Sequence, residues 1–309
     1  MPSPANTKAS DKQQAVKKLT TLLQKDYGKS VPRLKLPVVE TMLFAACLED
    51  NAWDSAQAAY DKLLRSYFDL NEVRVSSVGE LEQTLRELKG AEWKGLRIRA
   101  ILRFVFESTY SFDFEKLTKL NLESAQKKLR KIEYISPFLM NFTLQQCLGM
   151  HVVCLDDSMT AAAKHLGIVP PDADVDAASE FLKAGVRKTD AFGFAHLLKC
   201  LSVDPKYTAR LAEPVEHDEF DVLKVSDRLQ ELKSPKPKKA AAKKTPAASK
   251  TTAEGDRKKS STTTKSAAPK KPAVKTPAGK KSPSKSAPKK TGSKTASKSG
   301  ASKSPKKKK

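Results

Sequence analysis

The chain has 309 residues and a formal net charge of +23, from 58 Lys and Arg against 35 Asp and Glu. The charge is concentrated: residues 233–309 hold 26 Lys and Arg against only Glu254 and Asp256, a net of +24, which leaves the first 232 residues at −1. That stretch has no Phe, Trp, Tyr, Leu, Ile or Met, so it cannot bury enough apolar area to offset chain entropy, and disorder is expected there. Met1–Gln14 has no apolar signal core, and the longest uncharged apolar stretch, about 142–155, is too short to span a bilayer; secreted and integral membrane classes are excluded. Cys47, Cys147, Cys154 and Cys200 form no CxxC pair, which fits thiols in a reducing compartment rather than a disulfide or zinc framework.

Along the first 232 residues apolar side chains recur at three- and four-residue steps and nowhere alternate over a strand's length, so the prediction is all-α. After a flexible 1–11, helices are expected near 12–26, 38–48, 54–67, 79–89, 96–107, 122–132, 137–149, 158–166, 175–185 and 190–202, with breaks at Pro37, Gly90, Gly149, Gly167, Pro170-Pro171 and Pro205. The run VVETMLFAACL at 38–48 is apolar nearly all round and marks a central helix. Ser77 and Glu80 have capping-box spacing ahead of Leu81, Leu85 and Leu88 on one face. Ile98, Ile101, Leu102, Val105 and Phe106 share another. Trp53 and Trp93 are expected in the core, and His151, His165, His196 and His217 lack metal-ligand spacing.

The segment 132–160, IEYISPFLMNFTLQQCLGMHVVCLDDSMT, reads as a helix end, a tight turn, a second helix and a loop ending in acids. Ser136 suits the cap of the second helix and Pro137 its first position. This order resembles the helix-hairpin-helix DNA glycosylase superfamily, most of all its endonuclease III branch, whose motif L-P-G-V-G-x-K-T-A leads into a helix and then a V-D-T/V-H segment. On that pattern Ile132 takes the leading Leu, Tyr134 and Ser136 the two glycines, Phe138 the lysine, Asn141 the following Asn, Gly149 the helix-closing Gly and Asp156 the aspartate. The likeness spans roughly 12–205. It implies two helical lobes within 12–225, one of about 37–132 and one of 12–36 plus 133–225, with double-stranded DNA, damaged or bent, as the partner.

The departures bear on chemistry. A bifunctional glycosylase needs an amine to attack the sugar C1′, and Phe138 cannot supply one, so lyase activity is expected to be lost unless Lys131, Lys164 or another amine has moved in. Asp156, with Asp157 as its rival, is the candidate carboxylate, able to stabilise positive charge on the sugar or activate water. A plainer reading makes Asp157 or Ser158 the cap of the following helix. Tyr134 and Ser136 in the turn alter the phosphate clamp that hairpin glycines provide, and Lys127, Lys128, Arg130 and Lys131 are placed to contact the DNA backbone or, more plainly, water. The iron–sulfur cluster of endonuclease III is expected to be absent, since no cysteine follows Cys200, and no cofactor or metal is predicted.

The tail repeats Ser/Thr-Pro steps such as Ser234-Pro235-Lys236 and Ser304-Pro305-Lys306-Lys307 among Ala, Ser, Thr and Lys, which resembles the C-terminal tails of linker histones. Lys236, Lys238, Lys239, Lys289, Lys290, Lys306 and Lys307 would lie along phosphates and release counterions. The expected function is therefore DNA binding in the nucleoid or nucleus, linked to base excision repair, by a protein expected to be monomeric. A monofunctional glycosylase using Asp156 and a non-enzymatic organiser of the nucleoid or chromatin are the alternatives.

Overall fold

The computed structural model describes residues 8–213 and 220–234. His217, most of the N-terminal segment and every tail lysine named above lie outside these residues. The described residues fall in one compact unit and contain no strand, in agreement with the all-α prediction.

Thirteen α-helices are present among the described residues. They are α1 (Ala9–Tyr27), α2 (Val38–Leu48), α3 (Trp53–Ser66), α4 (Leu70–Val75), α5 (Val78–Thr84), α6 (Ala91–Thr109), α7 (Leu122–Leu129), α8 (Pro137–Leu148), α9 (Asp157–His165), α10 (Val175–Lys183), α11 (Ala191–Val203), α12 (Thr208–Leu211) and α13 (Val225–Lys233). The central helix is where its composition puts it: ten of the eleven residues of α2 are buried, and α2 packs against α3, α6 and α8. On the other side α1 lays Ala15, Val16, Leu19 and Leu23 against α11 and α13, while α9 packs on α10, α11 and α12.

Local signals explain most boundaries. Ser77 and Glu80 close the capping box of α5, and Ser136 caps α8 by accepting from the Leu139 N–H, with Pro137 at the first helical position. Gly149 ends α8 at a φ of 59°, in the left-handed region that glycine adopts freely. Two expectations need correction. The helix expected over 79–89 stops at Thr84, because Asn51 accepts from the Lys89 N–H at 2.9 Å and draws the chain off the helical path. The N-terminal segment expected to be flexible through residue 11 is already helical from Ala9. No helix among the described residues is long and apolar enough to cross a membrane.

Candidate active site

The hairpin joins α7 to α8. Leu129 and Ile132 turn inward, while Lys127, Arg130 and Lys131 stand in solvent and the Lys128 ammonium lies 4.6 Å from the centre of the Phe114 ring. Tyr134, at the first glycine position of the motif, has a φ of 60° and keeps its ring half exposed. For a residue with a Cβ that conformation costs about 1–2 kcal/mol. The turn is held from outside: Arg97 of α6 donates to the Tyr134 carbonyl at 3.1 Å and pairs with Glu49 just beyond α2. Ser136 is buried and spent on its cap. Phe138 is buried, and its ring packs 5.7 Å from Phe142.

From α8 the chain returns through a buried stretch, Val152–Asp156, into α9. The two candidate carboxylates separate cleanly, with Asp156 buried and Asp157 exposed. The cap of α9 is Asp156 itself rather than Asp157 or Ser158: its Oδ1 accepts from the Met159 N–H at 2.9 Å and from the Ser158 hydroxyl at 2.8 Å. Its Oδ2 accepts from the Asp50 N–H at 2.8 Å and from Lys199 Nζ, with which it forms an ion pair. Four donors thus fill the four lone-pair directions of one carboxylate.

Lys199 had no place among the sequence candidates. It comes from α11, its side chain is 5% exposed against 0% for Asp156, and its Nζ lies 4.8 Å from the centre of the Phe138 ring. The amine absent at position 138 is therefore replaced in space by one arriving from another helix, and the lysine that pairs with Asp156 is Lys199 rather than Lys131 or Lys164. Nζ also donates to the Leu48 carbonyl, and buried Lys94 of α6 donates to the Ala46 and Glu49 carbonyls, so two lysines serve the C-terminal end of α2. Burial pushes Lys199 down to about 7, against the attraction of Asp50 and with added repulsion from Lys94. Burial likewise pushes Lys94 down to about 8.

Beside the pair lies an open concavity of about 430 Å³, with Lys199 in its wall alongside Tyr27, Trp53, Asp54 and His196. Trp53 packs 4.9 Å from Phe44 in the core, as expected, whereas Trp93 is 56% exposed and does not belong to the core. His151 is held against the Val186 carbonyl at 2.8 Å. Among the described residues, no three His, Cys, Asp or Glu side chains converge as metal ligands, and the four cysteines offer no set that would hold an iron–sulfur cluster.

No family model matches the sequence, and no curated protein matches it. Several solved structures are similar to the chain. A trapped covalent intermediate of endonuclease III with DNA is 14% identical, over 61% of this chain and 85% of its own, with a TM-score of 0.47. The Clostridium acetobutylicum 8-oxoguanine glycosylase/lyase in complex with double-stranded DNA is 14% identical, over 60% and 68%, with a TM-score of 0.46. The H. pylori 3-methyladenine DNA glycosylase MagIII, bound to 1,N6-ethenoadenine, is 15% identical, over 66% and 99%, also with a TM-score of 0.46.

Proposed function

We propose that this chain is a DNA-binding protein of the endonuclease III-like glycosylase superfamily, linked to base excision repair and held on DNA by its basic tail. On this reading the body comprises lobes of about 37–132 and of 12–36 with 133–225, and duplex DNA meets it at the hairpin between α7 and α8. The observation that carries the reading is the placement of Asp156. The first carboxylate after the hairpin helix is turned inward beside Phe138, where the family pattern expects its aspartate, while Lys127, Arg130 and Lys131 leave the hairpin's outer rim positive. Sequence-independent affinity then comes from tail lysines neutralising phosphates, and the near-neutral body contributes selectivity.

The same geometry favours binding over a monofunctional glycosylase that uses Asp156 alone. A carboxylate that already accepts four hydrogen bonds has no lone pair left to activate water. The lyase step that the family places on its hairpin helix is absent from that helix, because Phe138 offers no amine.

Duplex binding by the full chain, compared with Arg130→Glu and Lys131→Glu variants, tests the interface. Affinity should fall in both while the fold is kept. Unchanged affinity in both variants would move the interface off the hairpin. Release of damaged bases that vanishes in Asp156→Asn and survives in Asp157→Asn would establish the monofunctional alternative instead.

A further inference from the structure

We propose that Lys199 is an amine nucleophile for an aldehyde carbon admitted through the concavity beside Trp53 and His196, and that the aldehyde it takes is the ring-opened sugar of an abasic site in DNA. The substrate rests on the reading above that DNA is the partner. The nucleophile rests on geometry alone.

Three observations converge on the amine. First, α11 carries Lys199 into a stretch that is otherwise apolar, AFGFAHLLKCLSV, and buries it. A helix gains nothing by holding a lysine there unless the amine is used, because burying a charge is costly even when it is paired. Second, Nζ has a carboxylate as its direct partner, able to take the ammonium proton and leave a free amine lone pair. Third, Lys199 is in the wall of an open space of about 430 Å³, large enough for a nucleotide-sized group, whereas Lys94, buried as deeply, is committed to the Ala46 and Glu49 carbonyls. Burial also holds the amine near neutrality, down to about 7, so a substantial neutral fraction exists at physiological pH.

The partner's chemistry selects the electrophile. Intact DNA offers an amine no aldehyde; a deoxyribose that has lost its base opens to one at C1′. The ammonium proton of Lys199 passes to Asp156, and the freed lone pair attacks C1′ to form a carbinolamine. Asp156 returns the proton to the carbinolamine hydroxyl, which leaves as water, and a protonated imine joins Nζ to C1′. The carboxylate, ionised again, accepts a proton from C2′, and the electron pair released expels the 3′ phosphate as the C3′–O bond breaks. Water then hydrolyses the imine and restores the amine. No oxidant, reductant or metal takes part.

The test uses the full chain, a duplex containing one abasic site, and sodium cyanoborohydride, which reduces an imine to a stable bond. The tail is rich in lysines that also meet aldehydes, so the adduct is located by tryptic peptide mapping. The expected result is a dominant adduct on Lys199 whose yield rises through about pH 7, and its loss in Lys199→Arg, which keeps the cation but not the nucleophile. Adducts confined to tail or other surface lysines, or no adduct, would overturn the inference; because mapping is done on the unaltered chain, a misfolded variant cannot mask either result. A parallel reaction with 2-deoxyribose 5-phosphate separates the two readings: labelling of Lys199 by this small aldehyde, without any by abasic duplex, upholds the nucleophile and rejects the DNA substrate.

Discussion

Asp50 and Asp156 bind two opposed helix ends to each other: the Asp50 N–H donates to Asp156 Oδ2 at 2.8 Å, and Asp50 Oδ1 accepts from the Ser158 N–H at 2.9 Å. Asp50, just past α2, adopts a φ of 56° to do so. The negative end of α2 thus faces the positive end of α9, with Lys199 and Asp156 between them. Asp156→Asn removes one partner of a buried ion pair and is expected to destabilise the fold by about 3–5 kcal/mol near pH 6.5, where Lys199 stays charged. The cost should shrink by pH 8.5, because the stranded amine can shed its proton. Urea denaturation of both proteins at both pH values reads this directly, and equal costs at the two would show that the charge of Lys199 does not set them.

The depressed lysines make a second prediction. Lys199, near 7, and Lys94, near 8, bind protons less tightly in the folded protein than in the unfolded chain. Unfolding between about pH 7 and the ordinary lysine range therefore takes up protons, so stability rises with pH across that window and is lower beneath it. The buried thiols, pushed upward, work in the opposite direction only above about pH 9, where they would ionise in the unfolded chain. The urea midpoint should therefore be higher at pH 8.5 than at pH 6.5. A midpoint that falls over this range would contradict the burial of two titrating amines.

At the hairpin, Tyr134→Gly relieves a left-handed conformation while leaving the carbonyl that Arg97 holds. The expected gain is up to about 1 kcal/mol, reduced by the greater entropy that glycine brings to the unfolded chain, and it should appear as a higher melting temperature. A loss of stability would mean that the half-exposed ring contributes packing that outweighs the backbone strain.

Removing the tail after Ser234 preserves α13, the Lys233–Asp26 ion pair and the hydrogen bonds from Arg210 to the carbonyls of Glu231, Leu232 and Ser234. For every phosphate that the shortened protein no longer neutralises, the log–log salt dependence of duplex binding should flatten by about 0.9. Most of the slope should vanish with the tail. An unchanged slope in the shortened protein would assign phosphate neutralisation to the helical body.

The helices and the hairpin were legible because they depend on local patterns: the apolar run of α2, the Ser77–Glu80 box, the Ser136-Pro137 start of α8 and the closing Gly149. Asp156 could be named, since it follows the hairpin helix at the family's interval, but its donors could not, because Asp50 and Lys199 are 106 and 43 residues away. Lys199 did leave a trace. A lone charge inside an apolar helix must find a partner, and reading 191–203 for its exception rather than for its rule would have flagged it. Trp93 misled for the converse reason: a tryptophan on a helix is expected inside, yet the first turn of α6 points it outward.

The cysteines carry one more consequence. Burial raises the pKa of all four thiols, Cys47 to about 12 and Cys147 to about 11 among them, so near neutral pH sulfur is held in its protonated, least reactive form. The usual order of reactivity in a folded protein is thereby inverted. An electrophile that would elsewhere seek out a thiolate meets, in this molecule, a nitrogen that has already begun to give up its proton.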